Sequence, residues 1–443
     1  MKKRLSGGQV IAIGFFAIIL LGTLLLCLPC ATRSGESTSF FEALFTATSA
    51  TCVTGLVVQD TALYWSYFGQ AVILILIQVG GMGFITISTL LLMLLRKRVG
   101  IRNRERMIES ISTADSGSIL PLTKKIFIGT AAVELTGACL LAIRFIPQFG
   151  VKGIWYSLFH AVSAFCNAGF DLMGPVSGPY SSLTAYAGDG LVNLTVMGLI
   201  LIGGLGYWVW EDLWYNRWHI KRWRLHTKLV VTMTLVLTLG GALLFWLLEQ
   251  ENRQHLPVGE QVLRALFDAI TPRTAGFNTS DTATLTQGSK LLSILFMFVG
   301  GSSGSTAGGI KTTTMLVLIL FTVTEITHRR DTYIYGRRLD NSCLSRAASV
   351  AVANLGLALF ASVALAAMLP AASLADVFIE TFSAIGTVGM STGLTREIGI
   401  AGQAILIFLM YCGRVGSLSF STALLEKKSN PPVTHPTEQI IVG

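Results

Sequence analysis

Four short segments of this sequence share a pattern that could present backbone oxygens to a bare cation. Each segment ends in a small or β-branched residue followed by glycine. The segments are residues 49–55 (SATCVTG), 163–169 (SAFCNAG), 270–276 (ITPRTAG) and 383–389 (SAIGTVG). Because glycine has no Cβ, the backbone at such a turn can adopt positive φ and bring its carbonyl groups close to an axis. Four turns around one axis could therefore replace the hydration shell of K⁺.

The last three residues of each segment are the predicted ion-binding residues, which would act through their backbone carbonyl oxygens. They are Val53, Thr54, Gly55, Asn167, Ala168, Gly169, Thr274, Ala275, Gly276, Thr387, Val388 and Gly389. A single copy would be weak support, since glycine after threonine is common in loops. Four copies at matching places along the chain favour a selectivity filter over the alternative, in which four tight turns only cap helices.

The composition indicates an integral membrane protein. Hydrophobic residues make up 52% and charged residues 13% of the 443 residues, whereas soluble chains carry about 25% charged residues. The net charge of +9 could suggest a nucleic-acid partner. The basic residues lie in short runs between apolar spans, so we expect no nucleic-acid partner. No nucleophile–base constellation, metal motif or nucleotide fingerprint stands out, and the sequence does not predict an enzyme.

The elements that must position the four segments are eight apolar spans, each about as long as a bilayer core requires. We predict the spans at 9–28, 68–95, 126–146, 191–210, 229–248, 291–323, 347–369 and 401–425. They form four pairs, and each pair encloses one segment preceded by a short helix. The short helices are predicted at 40–48, 155–162, 261–269 and 377–382, too short to cross a membrane. Such helices survive at membrane depth when they are buried in protein or line a wet cavity.

This pattern predicts an all-α integral membrane protein of four repeats, each with a first helix, a pore loop and a second helix. The predicted repeats are 1–107, 108–222, 223–338 and 339–428, followed by a tail at 429–443. Lysine and arginine concentrate in alternate connections, at residues 2–4, 96–106, 217–228, 329–346 and 427–428. The positive-inside rule then places both termini in the cytoplasm and all four segments on the outer side.

The residues around the segments resemble the Trk/Ktr/HKT superfamily of potassium transporters. The stretches HAVSAFCNAGF, AITPRTAGFN, GGSSGSTAGGIKTTT and ETFSAIGTVGMSTGLT occur in the family order. Because eight spans are predicted, the chain is most similar to the membrane subunit of bacterial Ktr systems. The resemblance implies four fused repeats around a central pore, a homodimer, and a cytosolic ring of nucleotide-binding regulatory subunits (KtrA-like). Glycine in all four segments implies a preference for K⁺ over Na⁺. Pro272 and Arg273, which replace smaller residues, argue against perfect fourfold symmetry.

The sixth span carries a glycine-rich stretch at 300–309, GGSSGSTAGG, which is a poor helix. A phosphate-binding loop is one reading, although no Gly-Lys-Ser/Thr ending follows. A flexible helix packed through small residues is another. The hypothesis strengthened by the resemblance is an intramembrane loop that lies below the filter and gates the pore. Its predicted residues are Gly304, Ser305, Thr306, Ala307, Gly308 and Lys311.

Arg414 is predicted within the eighth span, where a charge costs about 3 kcal/mol and usually faces a cavity or a partner. One alternative is that its side chain reaches the inner membrane surface. The resemblance favours a position under the filter, where a fixed positive charge would raise the barrier to K⁺. Arg414 is therefore the last predicted residue of the gate.

The sequence thus predicts a channel-like subunit that moves K⁺ into the cell through the plasma membrane of a bacterium, surrounded by membrane lipid. The alternative is a Na⁺-coupled secondary K⁺ transporter, since such proteins also contain repeats and broken helices. The parallel orientation of the repeats favours the channel-like mechanism. No covalently bound cofactor is expected. K⁺ is the transported ion, and Na⁺ is a candidate activator.

Overall fold

The computed structural model describes residues 7–83, 119–217, 219–329 and 331–416, and these residues are mostly helical. The helices are α1 (Gly7–Leu26), α2 (Phe40–Cys52), α3 (Tyr67–Met82), α4 (Ile119–Phe149), α5 (Lys152–Phe165), α6 (Gly174–Ser177), α7 (Gly190–Leu205), α8 (Tyr207–Asn216), α9 (Leu225–Leu235), α10 (Gly241–Leu248), α11 (Gln250–Arg253), α12 (Val258–Ile270), α13 (Gln287–Phe298), α14 (Thr312–Ile326), α15 (Asn341–Met368), α16 (Leu374–Gly386), α17 (Leu394–Glu397) and α18 (Ile400–Val415). A π-helical turn, Val236–Gly240, joins α9 to α10. Strands β1 (Tyr333–Ile334) and β2 (Arg337–Arg338) pair antiparallel.

Four helical stretches of the described chain are long and apolar enough to cross a membrane: Gly8–Leu26, Thr123–Phe149, Leu225–Leu248 and Ser342–Met368. They correspond to the first helix of each predicted pair. The helices α3, α14 and α18 are apolar but shorter. The prediction of an all-α protein with several membrane-spanning helices is confirmed to this extent. The predicted tail, the basic residues 96–106, and the ends of the second and eighth spans lie outside the described residues.

The short helices that precede the four segments are α2, α5, α12 and α16, each of 13 or 14 residues. Each is longer than predicted, because small and apolar residues continue the helix toward the segment. The hydroxyl of Ser39 caps α2 by accepting from the Glu42 backbone N–H. The last residues of all four helices are buried. These helices therefore end inside the protein, where they can hold the segments in fixed positions.

Two predicted spans are interrupted in the structure. The predicted span at 191–210 breaks at Gly206, whose φ is +93°, and α8 leaves α7 at an angle of 96°. The predicted span therefore does not continue as a single helix to residue 210, since a residue with positive φ cannot continue a right-handed helix. The predicted span at 291–323 becomes α13 and α14, joined by an irregular segment of residues 299–311.

The packing of the short helices runs around the molecule and closes on itself. Helix α5 packs against α3, α12 packs against α7, and α16 packs against α13. Helix α2 packs against α18, near the end of the described chain. The Tyr411 hydroxyl on α18 also donates to the carbonyl oxygen of Ala12 on α1, at 2.6 Å. Each short helix therefore rests on a helix of the preceding pair, and the fourth pair meets the first.

Candidate ion pathway

The four predicted segments have the same unusual backbone conformation. The glycines Gly55, Gly169, Gly276 and Gly389 have φ of +95°, +69°, +77° and +92°. Two residues earlier, Val53, Asn167, Thr274 and Thr387 have φ between +51° and +70°. Because non-glycine residues rarely adopt such angles, the surrounding structure must impose them. The segments are equivalent in conformation although their sequences differ.

The glycines form a closed ring in which each meets the next segment. A Cβ on Gly55 would lie 2.6 Å from the carbonyl oxygen of Ala168, and a Cβ on Gly169 would lie 2.9 Å from that of Ala275. A Cβ on Gly276 would lie 2.5 Å from the carbonyl oxygen of Val388, and a Cβ on Gly389 would lie 2.1 Å from that of Thr54. All twelve predicted ion-binding residues belong to these four adjoining segments. Their contacts leave no room for a side chain at any of the four glycines.

A hydroxyl group near the start of each segment forms a hydrogen bond with the backbone at or just after its final glycine. The backbone N–H of Gly55 donates to Ser49 Oγ at 3.1 Å, and that of Gly389 donates to Ser383 Oγ at 3.0 Å. In the second segment, Ser163 Oγ donates to the carbonyl oxygen of Phe170 at 2.7 Å. In the divergent third segment, Thr271 Oγ1 donates to the carbonyl oxygen of Phe277. A hydroxyl one position later thus replaces the missing serine of ITPRTAG.

All four glycines line a cavity of about 70 Å³ that opens on one side of the ring. Its other lining residues include Asp60, Asp171, Tyr180 and Arg396. Asp60 accepts from the backbone N–H of Tyr180 at 2.9 Å and so joins the first two loops that follow the ring. The Arg396 guanidinium lies 4.2 Å from the centre of the Tyr180 ring. A charged mouth therefore leads to the glycines.

Asp171 is the acid that lies closest in sequence to a ring glycine, two residues after Gly169. The pKa of its carboxyl is raised to about 7, chiefly by burial. The charge of Asp60 also raises this pKa, and a hydrogen bond from the Met173 backbone N–H lowers it. Sequence reasoning missed both aspartates. Inspection of the residues that follow each filter glycine would have found Asp171.

The irregular segment 299–311 crosses the opposite side of the ring and contacts three of the four segments. A Cβ on Gly308 would lie 1.9 Å from Thr387 Oγ1, and one on Gly300 would lie 3.3 Å from Thr274 Cγ2. Thr306 Oγ1 donates to the carbonyl oxygen of Phe165, at the end of α5, at 3.1 Å. The predicted gate residues 304–308 thus lie directly beneath the four glycine segments. We call residues 299–311 the intramembrane loop.

Arg414 fastens the intramembrane loop to the first repeat. Its guanidinium donates to the carbonyl oxygens of Thr306, Gly80 and Gly81, the last at 3.2 Å. Lys311 Nζ donates to the carbonyl oxygen of Ala307 at 2.7 Å, within the loop itself. The structure therefore brings all seven predicted gate residues together. Arg414 joins two repeats, whereas Lys311 stabilises the loop internally.

A second glycine pattern, which sequence reasoning missed, lies behind the four glycine segments. Paired glycines near the ends of the second helices occur at Gly80–Gly81, Gly203–Gly204 and Gly300–Gly301, and the fourth copy reads Gly413–Arg414. A Cβ on Gly80, Gly203 or Gly413 would lie between 2.0 and 2.1 Å from the carbonyl oxygen of Thr51, Phe165 or Ile385, respectively. The helices approach the filter segments closely for this reason. Arg414 occupies the place of the second glycine, which explains why its side chain lies under the ring.

Comparison with known proteins identifies the family of this chain. Residues 9–431 match the model of the TrkH family, described as cation transport protein. The chain belongs to the TrkH family. It is 39% identical to Ktr system potassium uptake protein B of Bacillus subtilis, over 99% of this chain and 97% of that protein. It is also 39% identical to potassium/sodium uptake protein NtpJ of Enterococcus hirae, over 100% of this chain and 98% of that protein.

The fold of this TrkH-family chain resembles that of the potassium transporter TrkH from Vibrio parahaemolyticus. The TM-score is 0.75 at 18% identity, covering 96% of this chain and 86% of that one. The resemblance inferred from the residues, including the likeness to the Ktr membrane subunit, is confirmed. Membership of a cation transport family, together with the apolar helices, makes the chain a multi-pass membrane protein. It also agrees with the prediction that the chain is not an enzyme.

Proposed function

We propose that this chain is the ion-translocating subunit of a K⁺ uptake system and conducts K⁺ through the ring of four glycine segments. The observation that carries the proposal is the closed set of contacts from Gly55 to Ala168, Gly169 to Ala275, Gly276 to Val388, and Gly389 to Thr54. A ring of adjoining backbone carbonyls is the arrangement that can replace the hydration shell of K⁺. The relatives named for potassium uptake support K⁺ as the transported ion.

The proposed architecture has four repeats and eight membrane helices around the pore, with boundaries near residues 107, 222, 338 and 428. The cyclic packing of α2, α5, α12 and α16 on the second helices supports it. Orientation rests on the positive-inside rule, which puts both termini in the cytoplasm and the cavity of Asp60 and Asp171 outside. The membrane would be a bacterial plasma membrane, since the relatives are bacterial uptake proteins.

The proposed gate is the intramembrane loop held by Arg414. With the loop directly beneath Thr387 and Thr274, a cation leaving the ring would meet the loop before the cytoplasm. The Arg414 guanidinium adds a fixed positive charge close to that path. Opening then requires the loop to separate from Phe165 or from Arg414. Two hydrogen bonds oppose this separation, one from Thr306 Oγ1 to the Phe165 carbonyl oxygen at 3.1 Å and one from Arg414 to the Thr306 carbonyl oxygen.

The proposed partners are a second copy of the chain and a cytosolic ring of nucleotide-binding regulatory subunits. Support comes from the relative's name, which describes one component of a Ktr system. No covalent cofactor is part of the proposal. Na⁺ is proposed as an activator because NtpJ is named for both potassium and sodium.

Uptake of K⁺ or ⁸⁶Rb⁺ into proteoliposomes, with and without the cytosolic partner, tests the proposal. We expect uptake that follows the K⁺ gradient and the membrane voltage and that Rb⁺ supports. Absence of uptake by folded, reconstituted protein together with its partner would contradict the proposed function.

The second candidate function is Na⁺-coupled K⁺ uptake, which the name of NtpJ favours. The same vesicles distinguish it. A coupled transporter would accumulate K⁺ against its gradient when Na⁺ enters, whereas a channel-like subunit would need Na⁺ at most as an activator. If a Na⁺ gradient drives saturating K⁺ uptake when the K⁺ driving force is zero, the mechanism is Na⁺-coupled and not channel-like.

A further inference from the structure

Arg273 is a buried cation directly behind one filter segment. It immediately precedes Thr274, and the equivalent positions in the other segments are Cys52, Cys166 and Gly386. Only 7% of Arg273 is exposed. Arginine stays charged in proteins, so this one segment of the ring has a full positive charge at its back.

The partners of Arg273 do not neutralise that charge. One guanidinium nitrogen, NH1, donates to Thr238 Oγ1 at 3.2 Å, and Nε is buried without a partner. Within the described part of the chain, Arg273 forms no salt bridge. The buried Arg253 shows the contrast, because it pairs with Asp268. A hydroxyl satisfies one N–H but leaves the charge of Arg273 in place.

Thr238 belongs to the π-helical turn Val236–Gly240. This turn interrupts the α-helical pattern of the membrane-spanning stretch Leu225–Leu248, where that stretch packs against α12. Such turns are rare and often occur at functional sites. Here the irregular turn supplies a hydroxyl to a charge that has no acidic partner.

A small cavity of about 10 Å³ adjoins the same side chain. Its lining includes Asn167 of the second segment, Thr234, and Gly301 of the intramembrane loop. This volume suits one water molecule and is too small for a phosphate or a carboxylate ligand. An anionic ligand that would neutralise the guanidinium therefore does not fit in this cavity.

We propose that Arg273 is a specificity-determining residue that sets the K⁺ affinity of the filter by opposing cation binding at the third segment. This inference rests on the proposed function. Conduction requires binding strong enough for entry and weak enough for release. The oxygens of the four segments attract the cation, and one positive charge at the back of the ring weakens that attraction without entering the path.

Removal of the charge should therefore tighten K⁺ binding and slow its release. At an effective dielectric constant of about 20 and a separation of roughly 10 Å, one charge changes cation affinity by about tenfold. The K⁺ concentration for half-maximal uptake should fall by roughly threefold to tenfold in Arg273→Met. The maximal rate should fall as well. A purely structural role would lower the maximal rate but would not tighten binding.

The experiment measures initial Rb⁺ uptake against external K⁺ or Rb⁺ concentration in proteoliposomes. The variants are Arg273→Met, Arg273→Gln and Arg273→Lys. Glutamine retains a donor for Thr238 without the charge, and lysine retains the charge. Arg264→Gln is the matched control, because it removes one charge from α12, the helix that precedes Arg273, where Arg264 pairs with Glu260. Size-exclusion chromatography in detergent identifies the folded variants.

The inference predicts a lower K⁺ concentration for half-maximal uptake in Arg273→Met and Arg273→Gln. In Arg273→Lys and Arg264→Gln this concentration should be close to that of wild type. Equal shifts in the lysine and methionine variants, or an unchanged half-saturation in the neutral ones, would overturn it. If only the lysine variant is recovered folded, Arg273 serves folding and the inference is rejected. Absence of uptake by the wild type would instead count against the proposed function.

Discussion

The Cα atom of Gly389 faces the carbonyl oxygen of Thr54 so closely that a Cβ would stand 2.1 Å from it. This contact joins the fourth segment to the first and closes the ring. It is also the tightest of the four glycine contacts, whereas the contact of Gly169 with Ala275 is the loosest, at 2.9 Å. The ring is therefore closed but unequal.

We predict that glycine-to-serine substitutions in the ring will not have equal effects. Gly389→Ser should lose the most K⁺ over Na⁺ preference, about tenfold or more, because the new side chain must displace a backbone carbonyl and an L-residue at positive φ costs about 1–2 kcal/mol. Gly276→Ser and Gly55→Ser should be intermediate, and Gly169→Ser should lose the least. The measurement is the ratio of Rb⁺ to Na⁺ uptake in proteoliposomes.

Gly178→Ser is the matched control for this series. Gly178 also has positive φ, +95°, but no atom lies within 4 Å of a Cβ placed there. The substitution should introduce the same backbone strain without altering the uptake ratio. Equal losses at all four ring glycines would show that the filter is more symmetric than these contacts indicate.

The sequence predicted the ring and the gate residues but not how they are joined. Four glycine segments repeat visibly along the chain, so their equivalence could be inferred from spacing alone. The contacts of Arg414 with Gly80 and Thr306 connect distant parts of the chain, and no local pattern encodes them. The break at Gly206 was missed because the residues on both sides are apolar enough to continue a span. Asp171 was missed because a single acid in a loop is usually a solvated one.

Arg414→Ala should raise the rate of K⁺ uptake, by roughly threefold to tenfold if one fixed charge near the path sets the barrier. The substitution also removes the hydrogen bonds to Thr306, Gly80 and Gly81. The K⁺ over Na⁺ preference should stay unchanged, because these hydrogen bonds of Arg414 are not to the ring glycines. Initial Rb⁺ and Na⁺ uptake rates measure both quantities.

Arg414→Lys distinguishes the effect of the positive charge from the effect of the hydrogen bonds that hold the loop. Lysine retains the positive charge but cannot bridge the same three carbonyl groups with one planar fork. An intermediate rate is expected. A changed ion preference in the alanine variant would contradict the assignment of Arg414 to the gate.

A shorter intramembrane loop should also raise K⁺ flux. Deletion of residues 305–307 removes the Thr306 contacts with Phe165 and Arg414, which hold the loop beneath the ring. Flux at saturating K⁺ should rise several-fold over wild type, as roughly 1 kcal/mol is lost with each hydrogen bond that holds the closed state. The measurement is Rb⁺ uptake normalised to the amount of folded protein.

The control is Ser305→Ala, which keeps the loop length and the Thr306 contacts. It loses only the bonds of Ser305 Oγ within the loop, to the Ser302 carbonyl oxygen and from the Ala307 backbone N–H. Its flux should remain near that of wild type. Unchanged flux in a well-expressed deletion variant would argue against gating by this loop.

Uptake at low external K⁺ should fall as the external pH drops from 8 to 6. Burial raises the pKa of Asp171 to about 7, so its carboxylate is mostly charged at pH 8 and mostly protonated at pH 6. Loss of this negative charge beside the ring weakens attraction of cations, and half-saturation should rise by roughly threefold. The other charged groups that line the cavity are Asp60 and Arg396.

The variants Asp171→Asn and Asp171→Glu test the assignment. Asparagine should hold the low-affinity state at both pH values, and glutamate should retain a pH dependence. A pH response that survives in Asp171→Asn would assign it to another group.

The unequal positions around the ring have a consequence for how such a pore can be built. A homotetramer of one repeat would carry every feature in four copies, and four intramembrane loops could not all occupy the space under one ring. In the proposed architecture, fusion of four repeats into a single polypeptide lets one loop, one Arg414 and one Arg273 each occur once. Covalent linkage thereby allows an asymmetric pore, in which the residues of each repeat can change independently of those in the other three.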